Sequence, residues 1–208
     1  VSLLATQQDF EPANPTEGAT ALYYQPYDGS GYDINAPDFQ ERCDWLVATY
    51  PPTNQKLAIW GCGFGALVNL TVAAGYDAYG FDGSSYAISR GKALLPTIAS
   101  RLFVRNALVS KDVTASRTDA GLRGQAKFAL LVTESMVSTM SDAEISTMLP
   151  LLRASSSAAQ EVHMEVPEDP GATAAGMNDS RLNWKSSADW KALLSPDVVW
   201  DAVNYQVV

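Results

Sequence analysis

Gly61-Cys62-Gly63-Phe64-Gly65 stands between an apolar run and a helical stretch, and Asp82 follows at the end of the next apolar run. Glycines at such a turn let the backbone approach a ligand closely, while the unpaired N–H groups of the following helical turn aim outward. A carboxylate about twenty residues beyond the first glycine can accept hydrogen bonds from both hydroxyls of a ribose. The chemistry that this pairing suggests is nucleoside binding. Two cofactor classes fit, since Gly61, Gly63 and Ala66 also satisfy the looser dinucleotide fingerprint. A plainer alternative is a tight strand-to-helix turn with Asp82 as a helix-capping residue.

Other residue types invite a role. His163 is the only histidine and alternates with Glu161 and Glu165 along a strand-like run. It is a second candidate base, set against a partly exposed imidazole satisfied by neighbouring carboxylates. Glu134 follows a strand-like run, at the edge where ligands of open α/β sheets sit; it could face a ligand or be a solvated loop acid. Tyr23, Tyr24, Tyr27 and Tyr32 could form a lid over a bound cation or pin their segment to the core by burial. Trp184, Trp190 and Trp200 are spaced like packing residues. Cys43 and Cys62 are expected to be reduced thiols, and no spacing of metal ligands is present, so no metal site is expected.

The elements that must position these groups alternate. A helix begins near Asn35, a candidate N-cap, with Phe39, Cys43, Leu46 and Tyr50 along one face, and stops at Pro51 and Pro52. Lys56 to Trp60 is a strand, Ala66 to Ala74 a helix ended by Gly75, and Ala78 to Phe81 a strand. Ser84 or Ser85 caps a helix running to Pro96. Strands follow at 101–105, 128–133 and 161–166, with a helix at 142–153 and a loop holding a short helix at 111–127. Ser186 and Asp189 stand at capping spacing before Trp190, and one terminal strand begins at Val198. This rhythm predicts an α/β fold: a Rossmann-like, doubly wound, mainly parallel sheet of six or seven strands with helices on both faces. Residues 1–35, polar and rich in Pro, Gly and Tyr, are expected to be an arm or lid, and residues 36–208 one domain.

Composition narrows the partners. The chain has 208 residues with 47% hydrophobic and 18% charged content, an ordinary globular balance with no stretch that would span a bilayer. Its N-terminal residues lack the pattern of a secretory signal, so a cytoplasmic location is expected. A net charge of −9 argues against gripping a phosphate backbone, which needs cation clusters. Nucleic acid is therefore not an expected partner; a small molecule or a protein is.

The stretch from Lys56 to Pro96, with its Gly-Cys-Gly-Phe-Gly turn and its Asp-Gly-Ser-Ser continuation, resembles the first two motifs of class I S-adenosylmethionine-dependent methyltransferases. The segment around Leu182 to Trp190 is similar, more loosely, to small phage-encoded members. About two thirds of the chain is covered. The resemblance implies S-adenosyl-L-methionine as cofactor, with Gly61, Cys62, Gly63, Phe64 and Gly65 at its methionine end and Asp82 at its ribose. Gly83 and Ser84 would lie beside the adenosine, and Asn106 and Ala107 near the adenine. Glu134 would face the sulfonium or the substrate as first candidate base. One departure stands out: where the family commonly places an acid supporting the cofactor's amino group, two positions before the first glycine, this chain has Ile59.

The function implied is methyl transfer to a small molecule or a protein side chain. The chain has neither the Asp/Asn-Pro-Pro-aromatic tetrad nor the Pro-Cys dipeptide of DNA methyltransferases; Thr133-Glu134-Ser135-Met136 stands after the fourth strand. Ile59 and the long arm favour an alternative, a methyltransferase fold with weak or no catalysis and a structural role. The arm would then mediate a homo-oligomer or a viral assembly, in the host cytoplasm or virion of a phage. A nicotinamide-dependent dehydrogenase is a more remote reading, disfavoured by Gly65 and the residues after Asp82.

Overall fold

The computed structural model of the protein describes residues 34–134, 136–156, 161–164, 185–194, 199–200 and 206–207. Tyr23, Tyr24, Tyr27, Tyr32, Glu165 and Trp184 lie outside them, as does nearly all of the expected arm.

Among the described residues seven strands form one sheet: β1 (Lys56–Trp60), β2 (Asp77–Asp82), β3 (Leu102–Val104), β4 (Leu130–Glu134), β5 (Glu161–Met164), β6 (Val199–Trp200) and β7 (Gln206–Val207). Their order is β3-β2-β1-β4-β5-β7-β6; the first five are parallel and β7 runs antiparallel to both neighbours. The predicted doubly wound sheet is present, and it ends in an antiparallel pair where the sequence shows one strand. Strand order reverses between β1 and β4, the point at which the chain, having built β2 and β3 on one side of β1, returns to the other. The chain segments after β1 and β4 therefore lead to opposite faces of the sheet, the position at which open α/β sheets bind their ligands.

The centre of the sheet is apolar on both faces, as parallel strands covered by helices must be. Leu57, Ala58, Ile59 and Trp60 are buried, as is every residue of β4. On one face Leu57, Ile59, Val132, Val162 and Met164 pack against Phe39, Cys43 and Leu46 of α1 (Pro37–Thr49), Leu67 and Val68 of α2 (Ala66–Ala73) and Ile88 of α3 (Ser85–Leu94). On the other, Trp60, Phe81 and Leu131 meet Val113 of α4 (Ser110–Asp119), Ile145 and Met148 of α5 (Asp142–Ser155) and Trp190 of α6 (Ser187–Leu194). The Trp60 and Phe81 rings lie 4.9 Å apart at the middle of that layer.

Helix boundaries follow from their caps, with one correction. Ala36, not Asn35, is the N-cap of α1, and it makes no side-chain capping bond; Pro37 starts the helix where a missing N–H costs nothing. Ser84 caps α3, its hydroxyl accepting from the Ala87 N–H. Ser141 and Glu144 form a reciprocal capping box on α5, and the Ser186 hydroxyl accepts from the Asp189 N–H. The fourth strand begins at Leu130 and not Phe128, which makes a single bridge to Ser156. No helix among the described residues is long and apolar enough to cross a membrane.

Two close approaches hold α3 and β4 against the glycine turn. A Cβ on Gly61 would lie 2.7 Å from the Glu134 carbonyl oxygen, and one on Gly91 of α3 would collide with the Phe64 carbonyl. Glycine inside a helix ordinarily costs about 0.5–1 kcal/mol relative to alanine, so it is kept here for space. Gly91→Ala is accordingly expected to lower stability in urea denaturation by about 1–3 kcal/mol, the overpacking range. Gly83→Ala, with open space around the new methyl group, is expected to stay within about 0.5 kcal/mol.

Candidate functional site

The turn after β1 is held mainly by β2. Gly61, Gly63 and Gly65 have φ of 75°, 54° and 88°, the left-handed region in which a side chain is strained. The Gly61 and Cys62 N–H groups donate to the Phe81 carbonyl at 2.8 and 3.3 Å. Gly63 N–H donates to Asp82 Oδ2 at 2.9 Å, and Ser84 N–H to Asp82 Oδ1 at 2.8 Å. Asp82 is thus a brace between the turn and the start of α3. The Cys62 and Phe64 side chains turn inward: the thiol is buried towards Gly80, and the Phe64 ring is buried with its centroid 6.3 Å from that of half-exposed Tyr86.

The segment after β3 reaches the same edge. Arg105 N–H donates to the Asp82 carbonyl at 2.9 Å, which draws Asn106 and Ala107 alongside. Asn106 Oδ1 accepts from the Leu108 N–H at 2.9 Å and its own N–H donates to Asp112 Oδ2 at 3.1 Å, fixing the turn into α4. Turn, Asp82, Gly83, Ser84, Asn106 and Ala107 are therefore brought together along the carboxyl edge of β1, β2 and β3.

Glu134 is neither a loop acid nor solvated. It ends β4, next in register to Gly61, and is 2% exposed. Its Oε1 accepts from Arg42 Nη1 of α1 at 3.2 Å, long for a charge-assisted bond, and Oε2 is buried with no hydrogen-bond partner. Arg42, 3% exposed, also pairs with Asp38 one turn earlier and lies over the Phe39 ring. Burial pushes the Glu134 carboxyl up to about 8; Arg42 opposes this, while Asp82 and Asp38 add to it. The neighbouring Cys62 thiol is likewise pushed well up by burial and by Asp82 and Glu134. Arg42 is the site residue that sequence reasoning missed. Its signal was a cation at the i+3 position of the stripe Phe39, Cys43, Leu46, where an apolar residue belongs.

His163 is fully buried and not partly exposed as expected. Its Nδ1 lies 2.7 Å from Thr133 Oγ1, while Nε2 is 2.7 Å from Glu161 Oε1 but out of line for a hydrogen bond. Burial would raise the Glu161 carboxyl, yet His163 and the paired Arg153 hold it below its usual range. Thr133 and His163 alternate with Glu134 and Met164, so the two candidate bases lie on opposite faces of the sheet. One bound acceptor cannot meet both. Cys43 and Cys62 are free thiols, and no group of potential metal ligands occurs among the described residues.

No protein-family model matches the chain. No curated protein matches its sequence. Solved structures do share its fold. Magnesium protoporphyrin IX methyltransferase ChlM from Synechocystis PCC 6803, with bound SAH, superimposes with TM-score 0.60 at 14% identity over 84% of this chain and 81% of that one. The PH0226 protein from Pyrococcus horikoshii OT3 gives 0.60 at 13% identity, over 89% and 96% of the two chains. The CcbJ methyltransferase from Streptomyces caelestis gives 0.50 at 13% identity, over 69% and 54%. The architecture is that of the class I methyltransferase fold.

The buried Glu134 makes stability depend on pH. Its folded-state value lies above its ordinary 4.5, so between about pH 4.5 and 8 the folded state holds a proton that the unfolded state has lost. Stability then falls as pH rises through that window, at about 1.4 kcal/mol per unit at most. Urea denaturation of the protein and of Glu134→Gln across this range is expected to show the decline in the former against a flatter profile in the latter. In Arg42→Met, which loses the guanidinium that opposes the rise, the upper edge of the window moves to higher pH while the lower edge stays.

Proposed function

We propose that the chain is an S-adenosylmethionine-dependent methyltransferase acting on a small molecule or a protein side chain. The observation that carries this reading is the coincidence, at the switch point between β1 and β4, of the glycine turn with two buried carboxylates, Asp82 and Glu134. Asp82 and Glu134 suit a ligand that carries positive charge, whereas a dinucleotide brings a pyrophosphate. The bound SAH in ChlM and the methyltransferase name of CcbJ support the same reading by likeness of fold.

The cofactor, when bound, would supply a methyl group already activated on a sulfonium. The chain then has to bind, orient and exclude water. Gly61, Cys62, Gly63, Phe64 and Gly65 would present backbone to the methionine half, with the first-turn amides of α2 behind them. Asp82 would accept from the ribose hydroxyls; Gly83 and Ser84 would flank the adenosine, and Asn106 and Ala107 the adenine. His163, behind the opposite face of the sheet, is not assigned to the transfer. The acidic balance of the chain favours a neutral or cationic acceptor over nucleic acid. A fold retained without catalysis, as in a virus-associated subunit, is favoured by Ile59, which is fully buried where an acid would be expected.

Calorimetric titration with S-adenosylhomocysteine and with NAD tests the reading. Binding of the former and not the latter is expected. Absence of binding at about millimolar S-adenosylhomocysteine, some 4 kcal/mol, would count against an enzyme. Asp82→Ala is expected to weaken binding by about tenfold or more, the loss of about 1.5–3 kcal/mol for a charge-assisted contact. An unchanged affinity would leave Asp82 as a brace alone.

A further inference from the structure

The net charge of −9 is not spread evenly. Residues 83–111 hold five cations, Arg90, Lys92, Arg101, Arg105 and Lys111, and no acid, so the rest of the chain carries −14. These residues form α3, the turn after it, β3 and the start of α4, which make one edge of the sheet; β3 has a neighbour on one side only among the described residues. Arg101 and Arg105 are engaged by Asp77 and Asp119. Arg90, Lys92 and Lys111 are exposed and form no ion pair among the described residues. Unpaired cations set this close attract an anionic partner and speed its encounter.

Apolar surface is left open on the same edge. The large hydrophobic side chains exposed among the described residues are Tyr86, Leu94 and Val104. Tyr86, Arg90 and Leu94 recur every four residues and share one flank of α3, while Ala87, Ile88 and Gly91 are buried. A surface helix ordinarily carries polar side chains on its outer flank. The Lys92 ammonium lies 5.8 Å from the centre of the Phe103 ring, which ties the helix to β3. The Arg105 N–H turns inward to the Asp82 carbonyl, so the preceding peptide groups turn outward; there the Val104 carbonyl accepts from Arg105 Nη1 at 2.9 Å. An arginine thus guards the strand edge against pairing, and side chains rather than backbone are what this surface offers.

We infer that α3 and the adjoining β3 edge dock an acidic segment of a partner protein, with Arg90 taking a carboxylate between apolar contacts to Tyr86 and Leu94. Charge and surface decide among the occupants. A second copy meeting this edge across a two-fold axis would set cation against cation. A nucleic acid would use the cations through its phosphates and leave the apolar side chains wet. A protein segment that carries carboxylates together with aromatic or aliphatic side chains meets both. Docking needs no cofactor and stands whether or not the chain transfers methyl groups.

Fluorescence anisotropy of a labelled random copolymer of glutamate and tyrosine, titrated with the full chain, tests this. Binding is expected, and it should weaken steeply between about 0.1 and 0.5 M salt. Arg90→Glu combined with Lys92→Glu is expected to weaken it about tenfold or more, and Leu94→Ser about threefold. Arg123→Glu combined with Lys127→Glu makes the same change in charge at two exposed cations beyond α4 and is expected to cost less than about threefold. Absence of binding, equal losses from the two pairs, or polyglutamate binding as tightly as the copolymer would overturn the inference. So would tighter binding of single-stranded RNA that the Arg90→Glu and Lys92→Glu pair abolishes, which makes the edge a nucleic-acid surface. Carbodiimide crosslinking of the full chain alone addresses the remaining occupants. A link from Lys92 to an acid of residues 1–33, or to a second copy, would show the edge already filled and overturn the inference as well.

Discussion

Where β1 ends, three backbone segments meet at separations that only glycine permits, and the rest of the carboxyl edge is arranged around that meeting. Gly61 lies against the Glu134 carbonyl and Gly91 against the Phe64 carbonyl, so the end of β4 and the helix α3 are both pressed onto the turn. The amides of that turn are not left to solvent; they are taken up by the Phe81 carbonyl and the Asp82 carboxylate. Rigidity of this kind matters for a site that must hold a ligand without reorganising, since binding then loses less conformational freedom.

Charge is distributed unevenly about the same point. Asp82 is stabilised by backbone donors from two segments, whereas Glu134 has one distant guanidinium contact and an unsatisfied oxygen. A buried acid so weakly compensated is costly for folding alone, and replacing such groups by apolar ones is often neutral or stabilising. It stands at the switch point of the sheet, where open α/β sheets bind their ligands. The second buried network, Thr133, His163, Glu161 and Arg153, lies on the opposite face and is closed by an arginine from α5, which marks it as part of the packing.

The glycine turn, Asp82 and the Ser84 cap were legible in the sequence because each is dictated locally: a backbone conformation, a strand end and a helix start within a few residues. The stripe of α1 was legible for the same reason. The partnership of Arg42 with Glu134 was not, because 92 residues separate them and only the packing of α1 over β4 brings them together. The burial of His163 also escaped sequence reasoning. Glu161 and His163 look like the wet side of a strand until Arg153 is seen to neutralise the acid from α5. The terminal antiparallel pair was invisible for another reason: strands of two residues carry no period.

The most direct measurement is a carbon-13 chemical-shift titration of the Glu134 side-chain carboxyl, made without ligand and with saturating S-adenosylhomocysteine. A carboxyl that awaits a cation should titrate at about 8 in the free protein and move down towards the ordinary 4.5 when the ligand is bound. A midpoint that stays near 8 in the presence of bound ligand, or one that is already ordinary in its absence, would contradict the account.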